Sequence, residues 1–222
     1  GDGATDFGVE GGNTSLSRAG IKERLLAPYR MAVKENVGAV MASFNTVSGI
    51  SMHAHKSLIT DVLKADMNFD GIVVSDWKGY SRFGKNDIIN AGIDMIMAVD
   101  GDLEDFQKGV KRGVETDTIA MSRIDDAVKR ILRQKFRLDL FENPFPDTTL
   151  VSQIGLPKNR AVAKQAVRES LVLLRNDNNA LPIDKKTNKI VVVGEHANNA
   201  GLQSGGWTIW WQGIHENYQG AT

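Results

Sequence analysis

The sequence predicts an α/β protein with parallel strands, and two observations carry that reading. First, short apolar runs alternate with amphipathic helical patterns three times along the first two thirds of the chain. Their spacing of roughly 20 to 35 residues is the rhythm of consecutive βα units, in a parallel sheet or a barrel. Second, the run GIVVSDWKG at 71–79 reads as a buried strand, Ile72 to Val74, that halts at Ser75, Asp76 and Trp77. Active sites of parallel α/β proteins gather at the carboxyl ends of the strands, which makes Asp76 a candidate functional carboxylate. The competing role is plain: a strand-end acid also caps the helix that follows.

The elements follow in order. Residues 1–15 are rich in Gly, Asp and Asn and read as a long loop. It lacks both the Gly-Lys-Ser/Thr ending and the preceding strand of a phosphate-binding loop. Asn13-Thr14-Ser15 fits a glycosylation sequon by pattern only. Residues 16–35 predict a helix, with Ile21, Leu25, Tyr29, Ala32 and Val33 mostly three or four apart and a kink at the interior Pro28. A strand follows at 38–44, a helix at 56–67, the strand that ends at Asp76, a brief helix at 86–91, a strand at 93–99 and a helix at 103–112. Ser122 and Asp125 form a capping pair for the next helix.

The segment ENPFPD at 142–147 breaks the alternation with two prolines and reads as a linker. Residues 157–174 predict a long helix opened by Pro157, and KIVVV at 189–193 predicts a new strand that starts a second α/β domain.

Bulk properties narrow the function classes. Of 222 residues, 41% are hydrophobic and 24% charged, an ordinary globular composition, and the net charge is zero. Without a basic stripe, nucleic acid and an electrostatically held membrane surface are disfavoured as partners. The chain contains no cysteine, so thiolate metal sites and a Cys nucleophile are excluded. No apolar run approaches the roughly 18 residues that span a bilayer.

Two side-chain groupings draw attention besides Asp76. Trp207, Trp210 and Trp211 lie within five residues of one another, flanked by glycines. Flat indoles stack on the apolar faces of sugar rings, and their N–H groups reach hydroxyls. A Trp-rich domain interface is the alternative. His53 and His55 offer two imidazoles, but no Asp, Glu or Cys completes a ligand set, so a structural role at a helix start is preferred over metal. Lys78 reads as a solvent-facing loop residue, and His196 as structural.

Several stretches, in order along nearly the whole chain, resemble glycoside hydrolase family three, in its β-glucosidase and exo-β-glucan glucohydrolase branch. They are GDG at 1–3, VMASF at 40–44, MHA at 52–54, GIVVSDW at 71–77, AGIDMIM at 91–97, MSRIDDAV at 121–128, RESLVLL at 168–174, VGEHA at 193–197, GGWTI at 205–209 and WQG at 211–213. The resemblance implies the C-terminal half of a (β/α)8-type barrel, a linker and the start of an α/β sandwich domain. The corresponding segments are 1–138, 139–187 and 188–222.

The resemblance also implies retaining, exo-acting hydrolysis of terminal β-glucosyl residues, without cofactor or metal, on a β-glucoside or β-glucan oligosaccharide. Asp76 matches the family nucleophile. Trp77, Trp207 and Trp211 match tryptophans that clamp the sugar, and Met41 and Phe44 match residues that line the pocket. Asp2 matches the Asp that marks the glucosidase branch. The family's Lys-His pair and its acid/base Glu match no motif in this chain, which implies an internal fragment, inactive by itself, of a periplasmic or secreted enzyme. The rival expectation is a non-catalytic oligosaccharide-binding module that uses the tryptophans.

Overall fold

The computed structural model describes residues 2–214 and divides the chain into two compact units, Gly1–Pro146 and Asp147–Thr222. The first unit is α/β. Its main sheet holds three parallel strands side by side, β2 (Ala39–Met41), β5 (Ile72–Trp77) and β6 (Met95–Met97), with β5 in the middle. Ala39, Val40 and Met41 face Ile72, Val73 and Val74 across the ladder. Parallel strands joined by intervening helices are what the alternating pattern predicts. A smaller sheet pairs β1 (Asn13–Thr14) parallel to β3 (Thr46–Val47) and β3 antiparallel to β4 (Ile50–Ser51). These two-residue strands are too short to leave an alternation in the sequence, so residues 1–15 read only as loop.

The predicted helix at 16–35 has three parts: α1 (Arg18–Gly20), a π-helical run Ile21–Leu25, and α2 (Leu26–Lys34). The break expected at Pro28 lies instead at Leu25, where π gives way to α. Pro28 then falls in the first turn of α2, where a missing N–H is tolerated. The helix between β4 and β5 is a π-helix, Ser57–Asp66, which packs Ile59, Val62 and Leu63 inward. After β5 come α3 (Gly79–Phe83) and α4 (Asn86–Ala91), and after β6 come α5 (Asp102–Glu115) and α6 (Met121–Arg137).

The expected Ser122 cap does not form. Ala120 is the N-cap and Ser122 lies inside α6. Ile119, almost fully buried, anchors the chain there, and the Ile119 N–H donates to the Gly113 carbonyl. Burial of that side chain sets the helix start in place of a hydroxyl.

The core joins both sides of β5: Ile59, Leu63 and Phe69 with Val73, and Tyr80, Ile88, Ile89, Ile93 and Ile119. At the amino end of the sheet sits a buried ionic cluster. Lys64 Nζ lies 2.7 Å from Asp94 Oδ1, Arg123 pairs with the same oxygen, and Asp94 Oδ2 accepts from the Val73 N–H at 2.8 Å. Asp126 links Lys64, Arg123 and Arg130, and Arg130 donates to the Phe69 and Gly71 carbonyls. The cluster thus fastens the start of β5 to α6, and the far end of the same strand carries Asp76.

In the second unit, α7 (Pro157–Ser170) opens on Pro157 as predicted but ends four residues early, with Leu171 extended. The predicted strand at 189–193 pairs with no other strand among the described residues, and Ile190 to Val193 are exposed. A β-branched apolar run becomes a strand only beside a partner that takes its backbone hydrogen bonds. A short helix, α8 (Ala200–Ser204), is capped by Asn199, whose side chain accepts from the Leu202 N–H. Among the described residues no helix is long and apolar enough to cross a membrane.

Candidate active site

The central strand does not run regularly to its end. Val74 faces Met95 and Trp77 faces Met97, so three steps along β5 oppose two along β6. The extra residue makes a β-bulge at Ser75 and Asp76. Bulges bend a strand and re-aim a side chain, often beside active sites. Ser75 turns inward and is fully buried, and its Oγ accepts the Met97 N–H at 2.9 Å, replacing a backbone carbonyl. Gly79 is required beside it, because a Cβ there would lie 2.4 Å from Ser75 Cβ. Lys78 takes the left-handed conformation at φ +54 and turns the chain from β5 into α3. It is half-exposed, with Nζ 3.0 Å from the Asp100 carboxylate, which agrees with its reading as a surface loop residue.

Asp76 is fixed at two points. Its backbone N–H donates to His53 Nε2 at 2.9 Å, and its Oδ1 accepts from the Trp77 N–H at 2.6 Å. Among the described residues no hydrogen bond engages Oδ2. The carboxyl group is part-exposed, and Trp77 beside it is 52% exposed. Such a carboxylate has one oxygen oriented and the other available to an incoming electrophile.

His53 is wholly buried in the short helical turn Met52–Ala54 that follows β4. Its ring stacks on Phe83 at 4.2 Å, with Phe44 6.4 Å away, and the Arg82 guanidinium lies over the Phe44 ring at 4.4 Å. Burial pushes the imidazole down to about 4. The Asp76 carboxylate and the Ser43 backbone pull it upward, and Arg82 pulls it further down. Sequence reasoning gave this residue a structural role at a helix start. It does sit in a helical turn, but its acceptor nitrogen is on the candidate nucleophile. Only a contact 23 positions along the chain reveals this. The two histidines join no metal-binding group among the described residues.

The remaining sequence-predicted residues divide by unit. Met41 ends β2 opposite Val74 and is half-exposed, and Phe44 belongs to the aromatic group around His53. The structure therefore gathers Asp76, Trp77 and Phe44 at one end of the sheet, with Met41 on the neighbouring strand end. An apolar hollow lined by Leu25, Tyr29, Val40, Met52 and Leu63 also reaches Met41, but Asp76 does not line it. The side chain expected of Asp2 lies outside the described residues.

Trp207 and Trp211 belong to the second unit. There the Trp207 N–H donates to the Trp211 carbonyl at 2.9 Å and closes a tight loop. Trp207 is 82% exposed at φ +63, an uncommon conformation for a bulky residue, and Trp210 and Trp211 are exposed beside it. The loop presents three indole faces to solvent.

These features meet a consistent set of relatives. Residues 1–134 match the glycosyl hydrolase family 3 N terminal domain, and residues 171–221 match its C-terminal domain. The chain belongs to glycosyl hydrolase family 3. It is 33% identical over 220 residues to a lysosomal β-glucosidase of Dictyostelium discoideum, a match that covers 90% of this chain and 27% of that protein. A β-xylosidase of Formosa agariphila is 30% identical over 208 residues, covering 86% of this chain and 29% of the relative. Among solved structures, an exo-1,3/1,4-β-glucanase from a Pseudoalteromonas species superposes with a TM-score of 0.85 at 39% identity. That superposition covers 95% of this chain and 27% of the other. The chain thus spans little more than a quarter of the length of these three relatives.

Proposed function

We propose that this chain carries the nucleophile of a retaining, exo-acting β-glucosidase, with Asp76 as the attacking group. The observation that carries the reading is the presentation of Asp76. It stands at the carboxyl end of the central parallel strand, on a bulge, with its amide and Oδ1 each held by a hydrogen bond. The family membership gives that carboxylate a matching task.

In the proposed reaction Asp76 Oδ2 attacks the anomeric carbon as the glycosidic C–O bond breaks. The leaving oxygen takes a proton from a general acid, and the sugar remains as an ester on Asp76. Water, deprotonated by the same acid–base group, then attacks that carbon and frees the sugar with retained configuration. Retaining enzymes hold the two carboxyls about 5–5.5 Å apart. No carboxyl of this chain matches the family's acid/base motif, so the reading takes that group from outside the chain. Residues 1–138 are then part of a (β/α)8-type barrel, 139–187 a linker and helix, and 188–222 the start of an α/β sandwich. In the first unit Trp77 supplies a stacking face for the sugar and Met41 and Phe44 line its pocket; Trp207 and Trp211 are sugar-stacking residues of the second unit.

Relatives named for glucosidase and xylosidase activity make the sugar itself a variable, and the proposal commits to glucose. In the full-length protein, Asp76→Ala lowers turnover of an aryl β-glucoside by on the order of 10⁴-fold or more, the scale on which enzymes fail without their nucleophile. Azide, small enough to occupy the vacated space, restores turnover and yields an α-glucosyl azide. Turnover of the variant within tenfold of the parent, or a strong preference of the parent for the β-xyloside, contradicts the reading. Unchanged oligosaccharide affinity in an Asp76→Asn variant of a protein without turnover would favour a binding module built on the exposed indoles.

A further inference from the structure

The bulge that aims Asp76 creates a local deficit. In the parallel ladder the Ala42 N–H donates to the Val74 carbonyl, and the next bond in register would run from the Asp76 N–H to the Ala42 carbonyl. The β2 strand ends at Met41, however, and the Asp76 amide turns to His53 Nε2 instead. On the other side of β5, Ser75 Oγ takes the Met97 amide. Two side chains thus replace two backbone acceptors, one on each flank of the bulge.

We propose that His53 is a positioning residue for Asp76, its unprotonated Nε2 holding the Asp76 amide so that the carboxylate is presented at one fixed angle. The proposal rests on Asp76 being the nucleophile. The imidazole is well placed for the task. It is wholly buried, clamped flat against Phe83, and bounded at its Cδ2 by Gly79, where a Cβ would approach to 3.5 Å. It cannot tilt away from the amide without opening the core.

Its protonation state is set as well. An Nε2 that accepts a hydrogen bond must leave the ring proton on Nδ1, and burial keeps the ring neutral at physiological pH. Nδ1 meets no hydrogen-bond donor among the described residues, so nothing there favours the opposite tautomer. The charged groups that face the ring are Asp76 on β5 and Arg82 on α3. Protonation of the ring would set a donor against a donor and release the bulge.

The test uses the full-length protein and two variants. His53→Phe keeps a flat ring against Phe83 but has no acceptor. His53→Gln places an amide oxygen near the Nε2 position without the ring. Each is incubated with 2,4-dinitrophenyl 2-deoxy-2-fluoro-β-glucoside, and the rate and binding constant of glycosyl-enzyme formation are read by intact mass. Because a misplacement of about 1 Å can cost a rate of order 10²-fold, His53→Phe is expected to slow the covalent step about 100-fold with binding changed less than threefold. His53→Gln is expected to recover to within about tenfold of the parent.

Label on Asp76 with an unslowed His53→Phe, or with His53→Gln as slow as His53→Phe, overturns the proposal alone. Label of the parent on another residue overturns the nucleophile reading and the proposal with it. If His53→Phe does not fold, nitrogen-15 NMR of the unaltered protein decides. An unprotonated Nε2 at neutral pH supports the proposal, and a protonated one overturns it.

Discussion

Replacement of Asp94 by Ala should destabilise the first unit more than any change at its surface. The Asp94 side chain is fully buried and serves three donors: Lys64 Nζ at 2.7 Å, Arg123, and the Val73 N–H at 2.8 Å. Removing it leaves two largely buried cations with the part-exposed Asp126 as their shared counter-ion, and an amide of the central strand without its acceptor. Breaking a buried ion pair from one side costs about 3–5 kcal/mol, because the remaining charge stays desolvated. Burial already pushes the Lys64 ammonium below its usual range, and the Asp94 carboxylate is the chief influence holding it up. Asp126 still pairs with both cations in Asp94→Ala, which limits the loss to about 3 kcal/mol, the lower end of that range. At roughly 2–4 °C per kcal/mol for a unit of this size, thermal unfolding should move down by about 10 °C. Asp94→Asn retains an acceptor for Val73 and should fall between the two. Calorimetry of parent and both variants at neutral pH reads the effect. A shift of less than about 2 °C in Asp94→Ala would refute the view that this cluster holds β5 in place.

Two further outcomes follow from the site. His53 titrates near 4 in the folded chain and near 6.5 when unfolded, so between those values only the unfolded chain binds the proton. Stability is therefore complete above pH 6.5 and falls on acidification by about 1.4 kcal/mol per unit, roughly 3 kcal/mol by pH 4. His55, also lowered by burial, adds to the same slope. Urea midpoints measured at about pH 7 and pH 4.5 should converge in His53→Gln relative to the parent, and an unchanged pH dependence would count against the buried neutral ring. Gly79→Ala places a methyl group 2.4 Å from Ser75 Cβ and 2.6 Å from its Oγ, so the bulge must shift. We expect a loss of about 1–3 kcal/mol in stability, the usual scale of overpacking, and at least a tenfold fall in kcat. Retention of full kcat would show that the bulge tolerates displacement.

Parts of this architecture are legible in the sequence for a physical reason. β5 is a run of β-branched residues stopped by polar ones, so the strand and the part-exposed acid at its end can be read directly. The parallel order follows from spacing alone. His53 cannot be assigned in the same way, because its function is a hydrogen bond to a residue in another βα unit, and helical or strand periodicity carries no trace of it. The bulge is hidden for a similar reason: it is a mismatch between two strands, while each strand alone looks regular. Asp94 does leave a signal, an acid within the apolar run IDMIMAV, and a buried acid implies buried cations. KIVVV at 189–193 misleads for the opposite reason, since its composition is that of a strand but no neighbouring strand takes its backbone among the described residues.

The chemistry of the site turns on the nucleophile, and trapping it is the decisive experiment. The full-length protein is incubated with 2-deoxy-2-fluoro-β-glucosyl fluoride, digested, and its labelled peptide sequenced by mass spectrometry. If Asp76 is the attacking group, a single fluoroglucosyl ester forms on it. A label on any other carboxylate, or no label in a protein that still binds oligosaccharide, would contradict that assignment.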